Sequence, residues 1–209
     1  MSKGDRLLVI MQNRWQMATL HWACQFAGII VTPVNWRSTA QDLEFFITDT
    51  EARAVAYDES ASEAVQNCSS ARSLVRITSG QIEDPDAHDF DSLLGNRGDT
   101  ILRATAEDLS LMLYTSGTSG KPKGVPRLHR AERSAALAHV AQNLYRHDEC
   151  TLGVMPLYHT MGVRSLLSMA LVDGKFVCIP KFDPKETLDA IEREQISNTP
   201  RTLPTDDSL

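Results

Sequence analysis

Short apolar runs alternate along this chain with stretches in which apolar residues return every three or four positions. Leu7–Met11 is an unbroken apolar run, the mark of a buried strand. From Trp15 to Ala27 the residues Met17, Leu20, Cys24 and Ala27 keep helical spacing, and Gly28 supplies the stop. A β-branched run from Ile29 to Val34 follows, closed by Pro33 and Asn35. Ser38 or Thr39 then caps a helix that runs to Asp49 with Leu43, Phe46 and Ile47 on its inner face. Ala54–Tyr57 and Leu74–Thr78 predict two further strands, separated by a weaker helix from Ser60 to Cys68.

Periodicity lapses between Ser79 and Asp108, a stretch that carries Asp84, Asp86, Asp89 and Asp91 and is expected to be a surface excursion. Regular structure resumes with a strand at Leu109–Tyr114, a loop of Gly, Ser, Thr and Lys, and a helix from Arg130 to Tyr145 with Ala135, Leu137 and Ala138 among its apolar positions. A strand at Thr151–Met155, a helix at Val163–Val172 and a strand at Phe176–Ile179 come next. Asp183 caps the last helix, which runs to about Gln195 with Leu188 and Ile191 facing inward. Trp15 and Trp22, both on the first predicted helix, are expected in the core. Strand and helix alternate throughout, which predicts an α/β chain: a three-layer αβα arrangement around a mostly parallel, doubly wound sheet. Two sub-lobes, 1–78 and 109–197, are expected to join across the acidic excursion 79–108.

Composition narrows the function classes. The chain has 209 residues and a net charge of −6, against the basic face that nucleic-acid binding needs. No apolar run approaches the ~20 residues of a membrane span. The N-terminal MSKGDRLLVIMQNR has too short an apolar centre for a signal peptide. Cys24, Cys68, Cys150 and Cys178 are too scattered for a CxxC pair, so neither a zinc knuckle nor a redox motif is expected, and free thiols fit a cytoplasmic protein.

The chemistry is concentrated in one loop. Tyr114-Thr115-Ser116-Gly117-Thr118-Ser119-Gly120-Lys121-Pro122-Lys123-Gly124 combines three glycines, four hydroxyls and two lysines. Glycines let the backbone present N–H groups to an anion, hydroxyls add donors and lysines add positive charge, which together suit a phosphate cradle. The loop is not a Walker A motif, because Pro122 stands where GxxxxGK[ST] from Gly117 needs glycine, and no GxGxxG follows any predicted strand. A flexible connector has the same composition. The two lysines flanking a proline, directly after the glycines and behind a strand, favour the cradle.

YTSGTSGKPKGV closely resembles the phosphate-binding signature of the adenylate-forming superfamily, which includes acyl- and aryl-CoA synthetases, firefly-type luciferases and the adenylation domains of nonribosomal peptide synthetases. The segment from Gly4 to Asp58, with its "AG" turn and "P-N-x-R" loop, resembles that family's N-terminal lobe. MPLYHTMG at 155–162 resembles its aromatic-His signature and IEREQIS its acyl-pocket helix, so the resemblance runs from about Gly4 to Ser197. It implies the N-terminal lobes of the adenylate-forming fold, and an ATP-dependent acid–thiol ligase chemistry that uses ATP, Mg²⁺, a carboxylic acid and coenzyme A. On that template residues Thr115, Ser116, Gly117, Thr118, Ser119, Gly120, Lys121, Pro122, Lys123 and Gly124 hold the β- and γ-phosphates. Thr118 helps place Mg²⁺, Lys123 ends the loop, and Tyr158 and His159 lie beside the acyl site, where His159 orients the carboxylate or gates the pocket. His21, His88, His129, His139 and His147 are left as structural or exposed.

The "P-N-x-R" segment and the His159 motif lean toward the acyl-CoA synthetases; an amino-acid adenylation fragment and a non-catalytic nucleotide-binding or scaffold module are the alternatives. The family's "YGxTE" glutamate, "TGD" aspartate and mobile C-terminal domain are not found here, so the isolated chain is expected to show little or no ligase turnover. Self-association or a complementing C-terminal portion are the macromolecular partners this would call for.

Overall fold

A computed structural model describes residues 1–95, 104–116 and 121–199. The strands are β1 (Arg6–Ile10), β2 (Ile30–Pro33), β3 (Ala54–Asp58), β4 (Val75–Ser79), β5 (His88–Asp89), β6 (Leu109–Thr115), β7 (Lys123–Leu128), β8 (Cys150–Gly153) and β9 (Lys175–Cys178). The helices are α1 (Trp15–Ala27), α2 (Ala40–Thr50), α3 (Ser62–Asn67), α4 (Phe90–Leu93), α5 (His129–Asn143), α6 (Thr160–Leu171) and α7 (Pro184–Glu194). The chain divides into two compact units, Met1–Gln12 with Thr19–His129, and Asn13–Ala18 with the chain from Arg130 onward.

The first unit holds a seven-stranded sheet in the order β5-β4-β3-β1-β2-β6-β7, parallel at every pairing except β6–β7. The connection β1→β2 steps one way along the sheet and β2→β3 steps back across β1. With right-handed crossovers that reversal puts α1 and α2 on opposite faces, as a doubly wound sheet requires. Side-chain alternation divides β1 accordingly: Leu8 and Ile10 join Leu43, Phe46 and Ile47 of α2 in one core cluster with Val55, Tyr57 and Val65. Leu7 and Val9, equally buried, point to the other face.

Local signals set the helix ends. Thr39, of the two expected caps, accepts from the Asp42 N–H at 3.2 Å while the Asp42 carboxylate accepts the Thr39 N–H at 2.8 Å, a reciprocal capping box. Asp183 caps α7 by accepting the Glu186 N–H at 2.9 Å, and Gln195 ends it in the left-handed region.

The second unit pairs β8 and β9 in parallel, and the chain after α7 comes alongside β8 through the bridge Thr151–Asn198. Leu152, Val154, Ile179 and Ala190 form its core cluster, flanked by Val177, Phe182 and Ile196.

Several expectations are corrected. Trp15 opens α1 half exposed and Trp22 is only partly buried, so neither is a core residue. The buried positions of α7 are Thr187 and Ala190, and Leu188 is 66% exposed; Ala190 joins Leu152 and Val154 in the core cluster. On α5 the buried apolar residue is Ala136, while Leu137 and Ala138 face outward. Lys123 and Gly124, read as the end of the loop, and the unassigned residues 125–128 form β7. The segment KGVPRL lacks apolar alternation, and Pro126 is tolerated because β7 is the edge strand.

The acidic excursion is anchored where it is described. Arg76 on β4 holds Asp84 through two hydrogen bonds, of 2.7 and 3.0 Å, and the fully buried Tyr57 donates to the same carboxylate at 2.7 Å. Asp89 caps α4, whose Phe90 is buried. No helix among the described residues is long and apolar enough to cross a membrane.

Candidate functional site

β6 and β7, which flank the Gly/Ser/Thr/Lys segment in sequence, pair antiparallel. The register sets Thr115 opposite Lys123 and Tyr114 opposite Gly124. Thr115, Ser116, Lys121, Pro122 and Lys123 are exposed there. Gly117, Thr118, Ser119 and Gly120 lie outside the described residues, Thr118 being the predicted Mg²⁺ residue. The segment from Tyr114 to Gly124 contains no acidic side chain, and its hydroxyls and two ammonium groups form a donor set suited to a polyanion.

The base of the hairpin is held to α2. The Tyr114 ring packs against Phe46 with centroids 4.6 Å apart, and against Phe45 at 6.3 Å. Its hydroxyl donates to Asp49 at 2.5 Å, and burial together with that carboxylate pushes the phenol up from its ordinary value. Across the hairpin, a β-carbon on Gly124 would sit 2.9 Å from the Met112 sulfur and 3.4 Å from the Tyr114 ring. A side chain at this position would have to displace the flexible Met112 thioether. Neither Asp49 nor Met112 stood out in the sequence, since a lone Asp on a helix carries no pattern.

Tyr158 and His159 belong to the second unit. The chain leaves β8 at Gly153 and turns through Val154–Leu157 before reaching them. Tyr158 is buried, His159 is half-buried, and their ring centroids lie 4.8 Å apart. His159 occupies the N-cap position of α6, with its N–H donating to the Pro156 carbonyl at 2.9 Å and its own carbonyl accepting the Val163 N–H at 3.1 Å. Its side chain makes no capping bond, which leaves the imidazole for other work. Burial lowers its affinity for a proton, so at neutral pH the ring is an uncharged donor–acceptor. A β-carbon on Gly162, one turn into α6, would lie 2.1 Å from the Pro156 carbonyl oxygen. Helix and turn are thus in direct backbone contact immediately beside the motif.

The remaining histidines are variously placed. His21 is buried with an unpartnered Nε2, and burial lowers its pKa to about 4. His129 is half-buried beside the Lys3–Asp108 ion pair, His139 lies against Tyr145, and His88 and His147 are exposed. Surface residues His147, Asp148 and Asp173 bring ligand-type atoms within 4.8 Å of one another, as exposed acidic clusters commonly do.

The doubly wound α/β unit carries, between β6 and β7, a hydroxyl- and lysine-rich segment with no acidic side chain. The chain belongs to the AMP-binding enzyme family, whose model matches residues 1–202. It is 26% identical over 195 residues to a feruloyl-CoA synthase of Amycolatopsis, covering 93% of this chain and 38% of that protein. The N-terminal domain of FACL13 from Mycobacterium tuberculosis shares the fold, with a TM-score of 0.82 and 21% identity over 95% of this chain and 50% of that one. ATP-bound MatB from Rhodopseudomonas palustris superposes with a TM-score of 0.77 at 29% identity, over 92% of this chain and 38% of that one. The chain therefore spans well under half the length of the curated relatives it matches.

Proposed function

We propose that this chain is the nucleotide-holding N-terminal portion of an ATP-dependent acyl-CoA synthetase. The observation that carries the reading is the hairpin register, which brings Thr115 and Lys123 together at the mouth of an acid-free, hydroxyl-rich loop in an AMP-binding chain. In the proposed reaction a substrate carboxylate oxygen attacks the α-phosphorus of ATP. The bond to the β-phosphate oxygen breaks, and pyrophosphate leaves. The thiolate sulfur of coenzyme A then attacks the acyl carbonyl, and AMP leaves with the former carboxylate oxygen.

Thr115, Ser116, Gly117, Thr118, Ser119, Gly120, Lys121, Pro122, Lys123 and Gly124 are assigned to the triphosphate tail, where exposed ammonium groups and hydroxyls neutralise charge that develops on the leaving oxygens. Mg²⁺, when bound with the nucleotide, supplies further neutralisation, and Thr118 is the residue assigned to it. His159, neutral at working pH, is assigned to the carboxylate as an N–H donor, with Tyr158 forming the adjoining wall. The acyl group, coenzyme A and a complementing C-terminal portion complete the proposed set of partners.

Nucleotide binding without turnover is the second reading. Calorimetric titration with MgATP and pyrophosphate exchange with a panel of carboxylic acids separate the two. Binding with exchange supports the ligase, binding alone supports the second reading, and no binding overturns both. Lys123→Ala is expected to weaken MgATP about tenfold, equivalent to about 1.4 kcal/mol, because it removes one charge-assisted contact. An unchanged affinity would remove Lys123 from the site.

A further inference from the structure

Asn13 stands between β1 and α1 and is 5% exposed. Its side chain reaches the segment that carries Tyr158 and His159. Nδ2 donates to the Gly153 carbonyl at 3.0 Å and to the Met155 carbonyl at 2.8 Å, while Oδ1 accepts the Leu157 N–H at 2.8 Å. One amide therefore bonds three main-chain groups spread over five consecutive residues, from the last residue of β8 through the turn that follows it. The bonds at Gly153 and Leu157 are buried and the one at Met155 is partly buried, so losing the amide takes a partner from main-chain groups that water does not freely reach.

The bonding pattern selects the residue type. Two donors and one acceptor in a fixed fork are what a carboxamide offers. A carboxylate would face two carbonyl oxygens and an apolar side chain would satisfy none of the three. Leu157 directly precedes Tyr158, and the His159 N–H closes back on Pro156, so fixing 153–157 fixes the approach of both rings. From the opposite end, Gly162 of α6 abuts the carbonyls of Met155 and Pro156.

We propose that Asn13 is a positioning residue for the proposed ligase reaction: its carboxamide clamps the 153–157 turn and thereby sets the orientation of the Tyr158–His159 pair toward the acyl substrate. The catalytic part of this inference rests on the ligase reading given above; the clamp itself does not.

The test uses the full chain and two kinds of measurement. In the unsubstituted protein, the Leu157 amide should exchange with solvent about a hundredfold more slowly than an open loop amide. Exchange at the open-loop rate would overturn the clamp without any variant. In Asn13→Ala, the His159 imidazole, assigned in NMR spectra by comparison with His159→Gln, should titrate closer to the ordinary 6.5 as water reaches it. MgATP affinity should stay within about twofold, since the carboxamide bonds residues 153–157 and not the β6–β7 hairpin. A folded Asn13→Ala protein with an unmoved His159 titration overturns the positioning role. Absence of MgATP binding in the unsubstituted chain overturns the ligase reading instead and leaves the Asn13 measurements to decide the clamp on their own. Where pyrophosphate exchange is present, Asn13→Ala and Asn13→Asp should raise the carboxylate KM about tenfold or more with the ATP KM unchanged. A uniform loss in both would point to misfolding and count against positioning.

Discussion

A β-carbon at position 162 would overlap the Pro156 carbonyl oxygen, a backbone atom that cannot swing aside. Gly162→Ala must therefore push α6 off the 155–156 turn, at a cost of about 3 kcal/mol as an overpacking change, and the His159 titration should move with it. Urea unfolding of the variant checks the first statement and NMR the second; a midpoint within error of the parent would show that the turn yields. Tyr114 makes a milder case. Tyr114→Phe keeps the packing on Phe45 and Phe46 and loses the hydroxyl's bond to Asp49, so it should cost about 1 kcal/mol. Asp49→Asn in the same background should then add little, because its partner is already gone. At this scale the sequence showed which residues were unusual and not what they touched. Gly124 could be read as a loop glycine; the fold places it in β7 opposite Tyr114, with Met112 and Tyr114 close across the strand pair.

Elements followed the pattern of the chain where burial is one-sided and failed where it is not. α2 kept its predicted inner face because Leu43, Phe46 and Ile47 form a continuous apolar stripe. β7 was illegible because an exposed edge strand that includes a proline needs no apolar alternation; its pairing with β6 makes it a strand. The excursion after β4 was read from its charge as solvated surface. In the fold, Asp84 is one of its fixed points, and the Arg76 guanidinium beside it holds its carboxyl down at about 2. Asp84→Ala should cost about 3 kcal/mol, since it leaves the Arg76 charge and the Tyr57 hydroxyl without their shared partner in a mostly buried setting. The double change Arg76→Met with Asp84→Leu should recover much of that loss. Equal destabilisation by the single and double variants, measured by urea unfolding, would show that the charge pair is not the cause.

For the whole molecule, burial of imidazoles makes stability depend on pH in a definite direction. His21 has a folded value of about 4 against the ordinary 6.5. Between those values the unfolded chain carries a proton that the folded chain refuses, so stability falls as pH drops through this window and is level above it. His129, His139 and His159 are lowered by burial too and act with the same sign. From about pH 7.5 to about pH 5, His21 alone should remove about 2 kcal/mol. His21→Leu should flatten the urea midpoint over this range, and a slope as steep as the parent's would assign the acid sensitivity elsewhere.

The amino-acid order by itself determined the α/β alternation, the parallel sheet it implies, a cap before α2 at Ser38 or Thr39, the cap of the last helix at Asp183, and the functional groups of the loop after Tyr114. These are matters of periodicity, dihedral preference and functional-group type, all written locally along the chain. Tertiary structure alone decided that Thr115 faces Lys123, that Tyr114 is tied to Asp49, that Asp84 is an anchor, and that Asn13 reaches residues about 140 positions away in the chain. Hydrogen bonds and steric fit between distant segments depend on where the backbone brings them, and no local pattern encodes that meeting.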